Sequence, residues 1–391
     1  MRATAQSNGM KKFVSILLLL ACALPVAACK RHNPNTVRVW CLQPQSITAQ
    51  EEVQRMLRLC DSDANVSFVP ASELNMRLKD AIERDEAPDV FMTYADALPD
   101  MAENKDALDL SNYLPLSNVK TDELTEASRR ACAYQGKTWG VPLFADAYML
   151  ATNRALVAVP PQTSDQAIAE IGRLRDRGVA SFDKLPPEKQ SVLFEALLYE
   201  KNGDMLNARR THLTFASPEG AQAMKACTAL MKDAAKDNDA IGAGKAAFSV
   251  MTAAERRAFA EKYPDAEIEL SSLFGYDRLQ TVAAAVSADA KDKKRAFRLL
   301  EYLQTHSGEL AALYKCYAAE KDLQPAVAQD KEAVLRIANA RPAPDLCGYA
   351  SLENTYLPSA IEKAGKGVPA SDALHEAQEN AKGVIWKGKR E

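Results

Sequence analysis

Side chains able to do covalent or acid–base chemistry are sparse in these 391 residues and do not gather. The four histidines, His32, His212, His306 and His375, lie far apart, and three sit among polar residues, so surface positions are expected. There is no G-x-S-x-G, no H-E-x-x-H and no glycine-rich phosphate loop. Acid pairs such as Glu51-Glu52 and Asp85-Glu86 fall on charged helix ends, where solvation is explanation enough. With no nucleophile set beside a base, an enzyme is not expected. Cys41, Cys60, Cys132, Cys227, Cys316 and Cys347 are scattered without a C-x-x-C, so neither a zinc site nor another metal is expected, and no cofactor. Cys60 and Cys227 fall on apolar helical faces and read as buried small hydrophobes. The chemistry left to this chain is non-covalent recognition.

Recognition needs a scaffold, and the first third of the chain supplies one. Thr36 to Leu42 reads as a strand, and Val53, Met56, Leu57 and Cys60 follow at helical spacing. Asn65 to Val69 is a second strand, Leu74, Leu78 and Ile82 mark a second helix, and Ala87-Pro88 breaks it before a third strand, Asp89 to Thr93. Strand, helix, strand, helix, strand is the pattern of a parallel, right-handed α/β unit. Ligands in such sheets bind beyond the carboxyl ends of the strands. Two loops are thereby singled out, Gln43 to Ser46 and Tyr94 to Asp96. Further on, Ser217-Pro218-Glu219 reads as a helix start ahead of Met224, Cys227 and Met231, and Ser371-Asp372 as another. Strand-like runs return at Ala246 to Met251, Glu267 to Leu270 and Thr281 to Val286, which suggests lobes that exchange segments.

The amino-terminal stretch carries an address. Lys11 and Lys12 precede an apolar run from Phe13 to Leu24, too short to span a bilayer comfortably, so a cleaved export signal over residues 1–28 is expected, with Met10 as the natural start. Val26-Ala27-Ala28-Cys29 resembles a bacterial lipobox, which implies acylation of Cys29 and a polar tether over residues 29–35. The chain carries a net charge of −3, and loss of Arg2, Lys11 and Lys12 with the signal takes it to −6. Such a chain has no reason to seek nucleic acid or an anionic membrane surface. The acyl group is then the membrane anchor, and the expected location is the cell envelope, facing the periplasm or the outer surface.

Gly136 to Arg154, GKTWGVPLFADAYMLATNR, resembles the hinge crossing of family 1 extracellular solute-binding proteins, the maltose-binding-protein group. Ala87 to Glu103, Lys201 to Met231, and Gly244 to Val250 followed by Val282 to Leu303 match further stretches of that family in order. The resemblance implies an α/β, two-lobed periplasmic-binding-protein fold with a ligand cleft between lobes joined by hinge crossings. It implies lobes of 36–145 plus about 279–325, and of 146–278 plus about 326–391. The function implied is the lipid-anchored, monomeric substrate-binding component of an ABC transporter, which captures a small polar solute, sugar, polyol or related, and delivers it to an inner-membrane permease.

Position by position, the resemblance implies that Asp146 is a ligand-facing acid in the crossing strand, and that Tyr349 closes over ligand from the second lobe. Tyr94 and Asp96 match the loop after the third strand, already reached from the sheet rule. Trp40 and Gln43 end the first strand, Trp40 facing either cleft or core. Phe274, Tyr276 and Arg278, on the second crossing, either face the cleft or pack. One departure stands out. Where the family often has a Pro-Trp step, this chain reads Met251-Thr252-Ala253-Ala254, and aromatic residues make up 7% of the whole. Sugar sites lean on aromatic faces, so an oligosaccharide ligand is disfavoured. A surface lipoprotein of the same fold, acting as adhesin or scaffold without transport, is the alternative.

Overall fold

A computed structural model describes residues 36–70, 73–323 and 331–385. The expected export signal, Cys29 and the expected tether lie outside the described residues. Among those described, no helix is long and apolar enough to cross a membrane.

The chain opens as its periodicity predicts. β1 (Val37–Leu42), α1 (Ile47–Cys60), β2 (Ala64–Val69), α2 (Leu74–Glu83) and β3 (Val90–Tyr94) form a parallel unit with β1 in the middle. A side-chain oxygen of Ser46 accepts from Ala49 N–H and starts α1, whose Val53, Met56 and Leu57 turn inward. A short 3₁₀ turn (Ala95–Ala97) leads from β3 into α3 (Leu98–Glu103). Next come α4 (Glu126–Ala131) and a small hairpin of β4 (Ala133–Tyr134) and β5 (Lys137–Thr138).

β6 (Val141–Asn153) is the spine of the molecule, and all thirteen of its residues are buried. After it come α5 (Ser164–Arg175), β7 (Ala180–Phe182), α6 (Pro187–Glu200), α7 (Pro218–Met231), β8 (Ala246–Met251), α8 (Ala253–Lys262) and β9 (Ile268–Ser271). β10 (Arg278–Val286) then returns antiparallel between β3 and β6. The sheet runs β2-β1-β3-β10-β6-β8-β7, with β11 (Tyr317–Ala318) and β9 also pairing β6. Residues 141–148 of β6 pair with β10, and residues 149–152 with β8, so one strand serves both halves of the sheet. Pro142, which has no N–H to donate, sits where the β6–β10 register shifts.

α9 (Lys293–Thr305) and α10 (Ser307–Tyr314) pack back on the first half, and α11 (Lys331–Asn339) lies against β6 and β9. The chain closes with α12 (Tyr349–Ser351), a π-helical turn (Leu352–Tyr356), α13 (Leu357–Gly365) and α14 (Ala370–Ile385), which pack on α6 and α7. α14 begins ahead of Ser371, so that residue lies inside the first turn instead of capping it. One apolar cluster fills the first half around β1, β3, β6 and α9, and a second holds α6, α7 and the carboxy-terminal helices together. Ser217 caps α7 as expected, accepting from Gly220 N–H at 3.1 Å. All six cysteines are free thiols; Cys227 is buried, but Cys60 is only half-buried at the end of α1. Trp40, left between cleft and core, is half-buried and packs against two of the apolar clusters.

Candidate functional site

The cleft lies beyond the carboxyl ends of β1 and β3, as the sheet rule requires. The loop after β1 brings Gln43 and Gln45, β3 ends on Tyr94, and β6 and β10 cross behind them. The register of β10 aligns the parts, with Val282 opposite Tyr94 and Phe144, Gln280 opposite Asp146, and Arg278 opposite Tyr148. A cavity of 170 Å³ opens among Gln43, Tyr94, Phe144, Asp146, Gln280 and Tyr314. A second, of 40 Å³, lies among Asp96, Tyr148, Arg278, Thr281 and Glu353. Tyr94 and Gln280 line both, and so stand between two chambers of one cleft.

Aromatic surface in the larger chamber comes from the first half of the chain. Phe144 and Tyr314 pack with ring centroids 5.1 Å apart, and the Tyr314 hydroxyl donates to the Leu42 carbonyl at 2.7 Å, which fixes the ring. Neither ring was expected at the site. Phe144 lies in the hinge-crossing stretch two residues before Asp146, and Tyr314 ends α10, but neither residue was singled out.

Asp146 lines the larger chamber but spends its oxygens elsewhere. Oδ1 accepts from Ala147 N–H at 2.8 Å and Ala253 N–H at 3.0 Å, and Oδ2 from Ala254 N–H at 2.9 Å. Ala253 and Ala254 open α8, whose start also carries a capping box of Thr252 and Glu255. A carboxylate suits the positive end of a helix, and here it ties the crossing strand to that helix. Burial pushes Asp146 up to about 6, with the three amides opposing that rise.

The smaller chamber is built on Arg278, which is 2% exposed. Its Nη1 lies 2.5 Å from Glu353 Oε1 and 3.5 Å from Glu195 Oε2, and its Nη2 lies 3.6 Å from Asp96 Oδ2. Tyr276 donates to Glu195 at 3.2 Å and stacks on Tyr199 with centroids 4.7 Å apart. Tyr349 donates to the other oxygen of Glu195, and the Arg278 guanidinium lies over its ring at 5.2 Å. Burial raises Glu353 to about 7 and moves Glu195 and Asp96 in the same direction; Arg278 opposes all three shifts.

The structure thus brings Tyr94, Asp96, Gln43 and Asp146 to the cleft. Tyr276 and Tyr349 are buried behind it, where they orient Glu195; the expected contact of Tyr349 with ligand is not the arrangement seen, because its hydroxyl points inward to a carboxylate and its ring is covered by Arg278. Trp40 lines neither chamber. Glu195 and Glu353 were missed. Glu195 did leave a trace, a lone carboxylate inside the apolar run Val192-Leu193-Phe194-Glu195-Ala196-Leu197, and a charge in such a run demands a buried partner. Glu353 lies on the π-helical turn, a feature that often marks working sites.

The cleft is bridged from both sides. Asp100 on α3 accepts from Gly348 N–H at 2.5 Å, and Lys315 pairs with Glu261 of α8 at 2.5 Å. Gly348 has φ +82, and a Cβ there would lie 3.2 Å from the backbone of Ile385, so both the turn and the close approach call for glycine. Among the described residues no group of His, Cys, Asp and Glu is arranged to hold a metal ion.

Residues 49–309 match the model of a family described as bacterial extracellular solute-binding protein. No curated protein sequence matches the chain. Among solved structures, an ABC transporter solute-binding protein from Thermotoga lettingae bound with α-D-tagatose is similar at 16% identity and a TM-score of 0.76, covering 90% of this chain and 100% of its own. An ABC substrate-binding protein from Listeria monocytogenes in complex with cycloalternan is 17% identical with a TM-score of 0.76, over 89% of this chain and 98% of its own. The sugar-binding protein MalE from Xanthomonas citri is 15% identical with a TM-score of 0.75, over 91% and 100%. The shared feature at this level of identity is the two-lobed fold.

Proposed function

This chain belongs to the bacterial extracellular solute-binding protein family, and from that premise we propose that it captures a small polar solute, a sugar, polyol or related compound, by closure of two lobes and hands it to an ABC permease. The observation that carries this reading is the cleft itself, whose walls come from both crossing strands and from the loops after β1 and β3. A ligand that touches both lobes only when they are closed shifts the population toward closure by its differential affinity. The permease then reads the closed form.

The size of the cleft bears on the ligand. A cavity of about 150 Å³ accommodates one benzene ring, and the larger chamber measures 170 Å³. In this reading a single sugar or polyol ring suits the larger chamber. Complexes of the structural neighbours with a monosaccharide and with a cyclic oligosaccharide support a carbohydrate-like ligand as a class.

The working unit in this reading has lobes of 36–145 plus about 279–325 and of 146–278 plus about 326–391. It acts as a monomer, tethered through acylated Cys29 and residues 29–35, outside the cytoplasm, with no catalytic step. Tyr94, Asp96, Gln43 and Gln280 contact the solute, and Asp146 positions α8.

A thermal-shift screen of the domain following Cys29 against sugars, polyols, glycerophosphodiesters, amino acids and polyamines tests this. A solute that binds only the native state raises the melting temperature in proportion to the logarithm of its excess over Kd. A dose-dependent shift that Tyr94→Ala removes is the expected result. A folded protein that no compound shifts, with nothing co-purifying, would count for the adhesin or scaffold.

A further inference from the structure

Of the features the receptor reading leaves unexplained, the charge imbalance of the smaller chamber is the largest. One guanidinium, that of Arg278, faces three carboxylates, Glu195, Glu353 and Asp96. Asp345, which also borders the chamber, is already paired with Arg210 at 2.5 Å. Buried charges are normally paired, since an uncompensated one keeps its full desolvation cost. Carboxyl groups here outnumber cations three to one, around a space that is still open. A cavity needs roughly 10–15 Å³ to hold a water, and this one offers 40 Å³.

A second observation is independent of the acids. Arg278 Nε and Thr281 Oγ1 are buried without a hydrogen-bond partner, and both residues line this chamber. Buried polar groups are nearly always satisfied, so such atoms mark where a further molecule completes the network. The Nε–H is a donor and calls for an oxygen acceptor. Thr281 can do either. An occupant that suits both the surplus of carboxylate and the idle donor presents a cationic nitrogen and a hydroxyl oxygen side by side.

We propose that the solute is a hydroxylated amine, an amino sugar or a related amino polyol, whose ring occupies the larger chamber and whose ammonium group reaches past Tyr94 and Gln280 to Asp96 and Glu353. This rests on the receptor reading and narrows its ligand class. The ammonium donates to the Asp96 and Glu353 carboxylates, while an adjacent hydroxyl accepts from Arg278 Nε–H. Glu195 stays committed to Tyr276 and Tyr349, so Glu353 and Asp96 are the selecting pair. Burial works against ionisation of these acids, and a cation placed against them favours the ionised form.

Matched pairs test it by isothermal titration at neutral pH. Glucosamine, galactosamine, mannosamine and serinol are each titrated beside glucose, galactose, mannose and glycerol, and the N-acetyl sugars are added to keep the ring and remove the charge. At least one amine should bind about tenfold tighter than its hydroxyl counterpart, a difference of about 1.4 kcal/mol, and its N-acetyl form should lose that advantage. Glu353→Gln, nearly the same in shape, should weaken binding of the amine more than that of its hydroxyl counterpart and so bring the pair within about threefold. A neutral sugar that binds as well as its amine overturns the proposal and leaves the receptor reading standing. If no member of any pair binds, the amine proposal falls, and the receptor reading is decided by the wider thermal-shift screen.

Discussion

The guanidinium of Arg278 and the carboxylate of Glu353 meet at 2.5 Å across 75 residues of sequence, each almost completely buried. Arg278 opens the second strand to cross between the lobes, and Glu353 sits on the only π-helical turn among the described residues. The pair joins the crossing to the carboxy-terminal helices at the edge of the cleft, so it bears on both stability and ligand contact.

Removing the cation should therefore be costly. Arg278→Met leaves Glu195, Glu353 and Asp96 facing one another in a buried site, and breaking a buried pair from one side costs about 3–5 kcal/mol. Urea unfolding should show that loss, and the double variant Arg278→Met/Glu353→Gln should recover part of it. A single variant as stable as the wild type would mean that the cluster is not held by charge.

The same carboxylate sets a pH dependence. Glu353 is raised from 4.5 to about 7 in the folded protein, so between these values the native state holds a proton the unfolded chain has released. Its contribution is most favourable below about 4.5 and is lost as the pH rises to about 7. Asp146 and Asp277, each raised from 3.8 to about 6, act in the same sense over a lower window. Melting temperatures measured from pH 4.5 to 8 should fall less steeply in Glu353→Gln than in the wild type. Parallel curves would show that Glu353 titrates as an ordinary exposed acid.

Asp146→Ala strips an acceptor from three backbone amides and unties α8 from the crossing strand. A loss of about 1–3 kcal/mol is expected, since unsatisfied buried donors cost that much. If the role is one of support, a solute that binds should raise the melting temperature of the variant by as much as it raises that of the wild type. An unchanged urea midpoint with abolished binding would instead make Asp146 a ligand contact.

Gly220 gives the sharpest packing test. A Cβ at this position would fall 1.8 Å from the Phe215 carbonyl oxygen, a backbone atom that cannot swing away. Gly220→Ala should destabilise by about 2–3 kcal/mol, the upper range for overpacking. Gly172→Ala, where a Cβ meets nothing within 4 Å on the exposed side of α5, should be neutral or slightly stabilising. Equal melting temperatures for the two variants would contradict the close approach at α7.

Cross-lobe contact can be weighed through Asp100. Its Oδ1 accepts from Gly348 N–H, so if this bond belongs to the ligand-bound arrangement Asp100→Ala should raise the Kd of any bound solute by about fivefold, the worth of about 1 kcal/mol for one hydrogen bond. The change should appear as faster dissociation in stopped-flow measurements. An unaltered off-rate would place the bond outside the closing motion.

The amino-acid sequence alone determined the elements and the place of the cleft. Alternation and helical spacing are local, so β1 to β3 with their helices, the Ser217 cap of α7 and the returning strands β8, β9 and β10 could be read within a few residues. The sheet rule then singled out the loops at Gln43 and Tyr94, both of which line the larger cavity. Only the tertiary structure decided what each polar side chain does. Asp146 reaches amides 107 and 108 residues away, and Tyr349 meets Glu195 across 154 residues. A carboxylate on a crossing strand reads the same whether it faces solute or caps a helix, because its direction is set by packing. The Arg278 cluster was hidden for the same reason. Its members come from the 3₁₀ turn after β3, from α6, from the start of β10 and from the π turn, and no periodicity within one segment encodes a meeting among four.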